Sequence, residues 1–94
     1  MGEERIDHEG PEFPYRQLAQ IIRARIARGV YRERRPLPGE IQLVQEFGVA
    51  RGTVRRALAL LVDEGVLFVV PHRGTFVAEG ARRRVVGDAG ETSE

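Results

Sequence analysis

Cysteine is absent from this sequence, and so is lysine. Without cysteine there are no disulfides, thiolate zinc sites, iron–sulfur clusters or thiol nucleophiles, which excludes a disulfide-stapled secreted domain. Without lysine, all 15 basic residues are arginine. Each is a planar fork of donors suited to phosphates and guanine edges, although a GC-rich coding bias accounts for the same composition equally well. Serine is nearly missing too: Ser93 stands alone near the C-terminal end, and the two histidines, His8 and His72, fall in separate segments. No Ser/His/Asp set, metal-spaced cluster or phosphate-binding glycine loop can be assembled from this inventory. The chain is therefore not expected to be an enzyme, and neither a cofactor nor a metal is expected. No apolar run approaches the roughly 18–20 residues of a membrane span, and the N-terminus lacks a basic-then-apolar signal peptide. A cytoplasmic protein without a membrane partner is expected.

What is present fits one small domain: 94 residues, 41% of them hydrophobic and 31% charged. A chain of this size buries only about 60% of its unfolded surface, so a large active-site cavity would compete with the core itself. The formal net charge of +1 conceals a strong segregation. Residues 1–15 set Arg5 against Glu3, Glu4, Asp7, Glu9 and Glu12, a net of −4. Residues 16–35 carry Arg16, Arg23, Arg25, Arg28, Arg32, Arg34 and Arg35 against Glu33, a net of +6. A basic body thus follows an acidic arm whose carboxylates are candidates to compete with nucleic acid for it.

Residues 1–13 show no apolar periodicity and read as a disordered acidic arm; residues 79–94, glycine-rich around Arg82-Arg83-Arg84, read as a flexible tail. The domain is residues 14–78. Pro14 suits a first helical turn, and Tyr15, Leu18, Ala19, Ile22 and Ile26 recur at helical spacing before Gly29. Val30 to Pro38, with Pro36 and Pro38, reads as a loop. A short second helix is expected over roughly 39–46, carrying Leu43 and Val44, with Gly39 as N-cap and Glu40 placing negative charge at the positive helix end. Gly48 breaks it, and Val49 is the apolar residue of the turn. Val54, Ala57, Leu58, Leu61 and Val62 predict a third helix over roughly 51–64, stopped by Gly65. The period then changes: Val66 to Val70 and Thr75 to Val77 flank Pro71-His72-Arg73-Gly74, a β-hairpin with a basic tip. The fold class is mainly α with a small β part, a winged helix-turn-helix of three helices followed by a hairpin wing.

At 100° per residue, Val54, Ala57, Leu58 and Leu61 share one face of the third helix, while Gly52, Arg55, Arg56 and Ala59 lie away from it and Arg51 falls at the flank. The outward face combines guanidinium groups with side chains small enough for a helix to settle into the B-DNA major groove, first turn foremost. Arg73 at the hairpin tip has the reach to enter a minor groove, whose narrow form concentrates negative potential. A winged helix used only for protein contact is the rival from another class. It would more naturally expose an apolar patch where these arginines stand. RNA is a weaker partner still, because A-form major grooves exclude helices and no aromatic stacking platform is evident.

Three strings sharpen this reading: Leu37-Pro38-Gly39-Glu40, Phe47-Gly48-Val49-Ala50-Arg51-Gly52-Thr53-Val54-Arg55-Arg56-Ala57-Leu58, and Arg73-Gly74-Thr75-Phe76-Val77. With them, the stretch from Tyr15 to Val77 resembles the N-terminal winged helix-turn-helix domain of the gluconate-repressor (GntR) family of bacterial transcription regulators. The resemblance implies a sequence-specific repressor or activator, with a repressor expected here, that binds near-palindromic double-stranded operator DNA as a homodimer. It implies that Arg51 and Arg55 read bases, that Thr53 holds phosphate, and that Arg73-Gly74 form the minor-groove wing tip. The expected DNA-binding set is Arg51, Gly52, Thr53, Arg55, Arg56, Arg73, Gly74 and Thr75.

The chain also departs from the family pattern. Ile41 replaces a familiar arginine, Ala50 stands where a serine or threonine would cap the recognition helix, Gly52 offers no side chain, and His72 fills a wing position often held by glycine. Family members usually continue into an effector-binding and oligomerisation domain, whereas this chain ends sixteen residues past the winged domain (14–78), so no effector site is expected within it.

Overall fold

The computed structural model describes residues 4–91. Met1 to Glu3 and Thr92 to Glu94, which include Glu3 of the acidic arm and the single serine, Ser93, lie outside the described residues. Pro14 opens helix α1 (Pro14–Ala27), where its missing N–H costs nothing, and Leu18, Ala19, Ile22 and Ile26 form the buried stripe. Helix α2 (Glu40–Phe47) buries Leu43 and Phe47, and the Gly39 N–H at its start donates to Gln42 Oε1 at 3.0 Å. Gly48 ends α2 at φ 64, a left-handed conformation that suits glycine, while its N–H donates to the Val44 carbonyl at 2.8 Å. Val49 is buried in the turn, and helix α3 (Arg51–Asp63) follows directly.

The expected apolar face of α3 is narrower in the structure than in the sequence. Val54, Ala57 and Leu61 are buried, Leu58 is half-buried, and Val62 is exposed. Helix α3 also packs on strand β1 (Leu67–Val70), and on that side Leu58, Val62 and Val69 line a groove of about 490 Å³ rather than the core. Strand β1 pairs antiparallel with β2 (Gly74–Val77) in the register Leu67↔Val77, Phe68↔Phe76, Val69↔Thr75 and Val70↔Gly74. Leu67 and Val77 thereby close the core beneath α1 and α3.

Residues 30–38, expected as a loop, include a third extended segment. The Arg34 N–H donates to the Val77 carbonyl (2.7 Å), the Val77 N–H to Arg35 (3.0 Å), and the Leu37 N–H to Thr75 (2.8 Å), with Pro36 opposite Phe76. Pro36 is tolerable here because the segment is an edge.

The expected flexible tail contains a helix, α4 (Ala81–Glu91), packed against α1. Its attachments come from the charges that made it look solvated. The Glu33 carboxylate accepts the Arg82 N–H at 3.1 Å at the start of α4, where a helix favours negative charge, and Arg82 Nε donates to the Ala27 carbonyl, the last of α1, at 2.9 Å. Ala81 is fully buried beside them.

The arm departs from its expectation in the same way. Residues 4–13 lie along α1, held where Gln17 Oε1 accepts the Asp7 N–H (2.7 Å) and Gln17 Nε2 donates to the carbonyls of Asp7 (2.9 Å) and Glu12 (2.7 Å). In both cases the complementary group is a polar side chain or carbonyl of another segment, which composition does not register. Among the described residues, no helix is long and apolar enough to cross a membrane.

Candidate nucleic-acid interface

Burying Val54, Ala57 and Leu61 turns the opposite side of α3 outward. Arg51 and Arg55, one turn apart, keep 59% and 61% of their side-chain surface exposed. Between them Gly52 is exposed, and a Cβ added there would meet nothing within 4 Å, so the backbone is open to close approach by a partner. Ala50 is the N-cap and supplies no side-chain hydrogen bond, which leaves donors of the first turn available to an anion. Thr53 is half-buried within that turn.

The two exposed arginines share one carboxylate. Arg51 Nε donates to Glu40 Oε1 at 2.9 Å, and Arg55 Nε donates to Glu40 Oε2 at 3.1 Å. The hydrogen bond from Arg51, then that from Arg55, holds the Glu40 carboxyl below its ordinary value, so it stays ionised. Sequence reasoning assigned Glu40 only to the dipole of α2. Its two partners lie 11 and 15 positions downstream, across the turn between α2 and α3, a juxtaposition that only the closed turn creates.

Arg56 goes elsewhere. Its guanidinium lies 4.1 Å from the centre of the Tyr15 ring, a cation–π contact on the α1 side of α3, so it does not join Arg51 and Arg55. At the wing tip, the Arg73 N–H donates to the Val70 carbonyl at 2.9 Å across Pro71-His72, with His72 at φ 67. This is the pattern of a turn with proline first and a left-handed residue second, which explains the usual glycine at the histidine position. Gly74 follows at φ 121, outside the range of ordinary side chains, and both Arg73 and Gly74 are exposed. Thr75 is instead tied into the sheet, its carbonyl accepting the Leu37 N–H.

The acidic arm engages a different set of arginines. Arg25, at 13% side-chain exposure, meets Glu4 at 2.8 Å and Glu46 at 2.7 Å, and Arg28 meets Glu4 at 2.8 Å. Arg25 Nη1 also donates to the Tyr31 hydroxyl at 2.6 Å. Its pKa is raised above the ordinary arginine value, chiefly by the Glu46 carboxylate, so it is permanently charged.

A short-turned helix pair, an outward first turn and a hairpin with a basic tip define a winged helix-turn-helix domain. The description "Bacterial regulatory proteins, gntR family" matches residues 14–77, and the chain belongs to that family. It is 38% identical over 74 residues to the HTH-type transcriptional repressor NagR of Bacillus subtilis, covering 79% of this chain and 30% of NagR. The AraR DNA-binding domain, solved in complex with operator ORX1, is 35% identical with a TM-score of 0.72, covering 83% of this chain and all of that one. YtrA from Sulfolobus acidocaldarius, a GntR-family transcription factor, is 30% identical with a TM-score of 0.75, covering 98% of this chain and 97% of that one. The chain spans 30% or less of the length of the first curated relatives it matches.

Proposed function

We propose that this chain is the DNA-reading head of a cytoplasmic transcription regulator, acting as a repressor on double-stranded operator DNA. Helix α3 enters the major groove, where Arg51 and Arg55 donate to guanine O6 and N7, Thr53 and the uncapped first turn hold phosphate, and Gly52 allows close approach. The wing tip, Arg73-Gly74, lies over the adjacent minor groove. Two copies bind inverted half-sites, since a symmetric operator pairs with a two-fold arrangement of the protein.

The observation that carries this reading is the exposed pair Arg51 and Arg55, set one turn apart on the face of α3 opposite its buried residues. The operator complex of the AraR domain and the repressor name of NagR support extending it to this chain.

The test is selection of bound duplexes from a random pool, with the mass of the complex measured in solution. Enrichment of inverted, guanine-containing half-sites about one helical turn apart, bound by two copies, is the expected result. A pool that remains random after repeated rounds contradicts it.

A further inference from the structure

A carboxylate on a DNA-facing surface is costly, because it repels the phosphates that supply most non-specific affinity. Glu40 is such a group, and the start of α2 does not require it to contact any arginine. Yet each of its oxygens is occupied by a different arginine: Oε1 by Arg51 Nε and Oε2 by Arg55 Nε. Its own side chain is 29% exposed, about half as much as either arginine.

Two consequences follow from donor geometry. An arginine presents Nε and two Nη groups, and when Nε is occupied only the terminal Nη pair faces outward. Both arginines are thereby committed to end-on presentation of a two-donor fork. A long side chain free in solvent must also lose rotamer freedom when it docks, and here one rigid acceptor restricts two such chains beforehand.

From this geometry we infer that Glu40 is a positioning and specificity-determining residue: its charge opposes binding to any duplex, while its grip on the two arginines fixes the forks that discriminate one base sequence from another, so it lowers non-specific affinity and raises affinity for the matched sequence. The inference rests on the reading above, in which Arg51 and Arg55 contact bases. Glu40 acts through them and touches no base itself.

The test uses the whole chain with Glu40→Gln, the duplex enriched from the random pool, and a scrambled duplex of equal length, titrated across salt. Binding to the scrambled duplex should tighten a few-fold at low salt as the repelling charge is lost, while the ratio of enriched to scrambled affinity falls about tenfold. Nitrogen-15 spectra of the free protein add a readout that altered stability alone would not produce: the separate Nε–H signals of Arg51 and Arg55 should collapse toward those of free arginine side chains. If both affinities rise together at an unchanged ratio, Glu40 only subtracts charge and the assignment is overturned. Unchanged Nε–H signals overturn it as well. Arg51→Ala and Arg55→Ala separate the two levels of argument. If these variants lose discrimination while Glu40→Gln keeps it, the positioning role alone fails; if they keep discrimination, base reading itself fails.

Discussion

Arg25 and Arg55 both meet glutamates, with opposite results. Arg25 is 13% exposed and bonded to Glu4 and Glu46, with its guanidinium about 5.1 Å from the Phe47 ring centre and 5.5 Å from that of Tyr31. Arg55 is 61% exposed and makes a single bond, through Nε, to Glu40. The first arginine joins α1, α2, the arm and the loop at residue 31, and has little left to offer a partner. The second keeps its terminal nitrogens free. A composition in which every cation is arginine therefore does not mark a binding face. What marks it is how many partners each guanidinium already has within the chain.

This contrast breaks most visibly at Arg25. Arg25→Ala leaves Glu46 and the half-buried Tyr31 hydroxyl without their donor, leaves Glu4 with Arg28 alone and removes packing from Phe47, so it should destabilise the fold by about 2 kcal/mol, or a Tm lower by about 10 °C. Discrimination between duplexes by the remaining folded protein should hardly change. A thermal melt beside a binding ratio checks both halves, and a Tm equal to the parent's would place Arg25 with the exposed arginines.

A smaller effect separates the attachments of the termini from the apolar core. The carboxyls of Glu4 and Glu33 are held below the ordinary value of 4.5: Glu4 first by Arg25 and then Arg28, Glu33 by the backbone N–H groups of Gly80 and Arg82. A depressed carboxyl stabilises the fold fully above its unfolded pKa and loses that contribution as pH falls through its folded value. Melts should therefore be flat from neutrality to about pH 5.5 and decline below 4.5, the acid limb being shallower in Glu33→Gln. An acid limb identical in Glu33→Gln and the parent would show that the contact at the start of α4 contributes nothing.

The parts legible in the sequence were those set by local repetition. The 3.6-residue period gave α1, α2 and α3 to within two residues at each end, and the change to short apolar runs flanking Pro71-His72-Arg73-Gly74 gave the wing. Arg51, Arg55, Arg73 and Gly74 stand exposed as expected from a helical wheel and a turn. What the sequence concealed depends on contacts across the fold. Helix α4 and the bound arm rest on Glu33, Arg82, Gln17 and Glu4, polar groups that satisfy α1 and its neighbours, and an apolar pattern does not report such pairings. Arg56 was assigned outward by angle, but Tyr15 draws its guanidinium toward α1. Glu40 was visible as a helix-start acid, and its grip on two arginines needed the turn to be closed first.

The central claim is that the exposed arginines of α3 read sequence while the partnered arginines of α1 hold the fold. Its most direct test is the affinity of Arg51→Ala and Arg55→Ala for the enriched and scrambled duplexes across a range of salt. Each variant should lose about 1–3 kcal/mol on the enriched duplex, with a much smaller loss on the scrambled one and an unchanged Tm. Equal losses on both duplexes would mean that these arginines only neutralise phosphate, and would contradict the account.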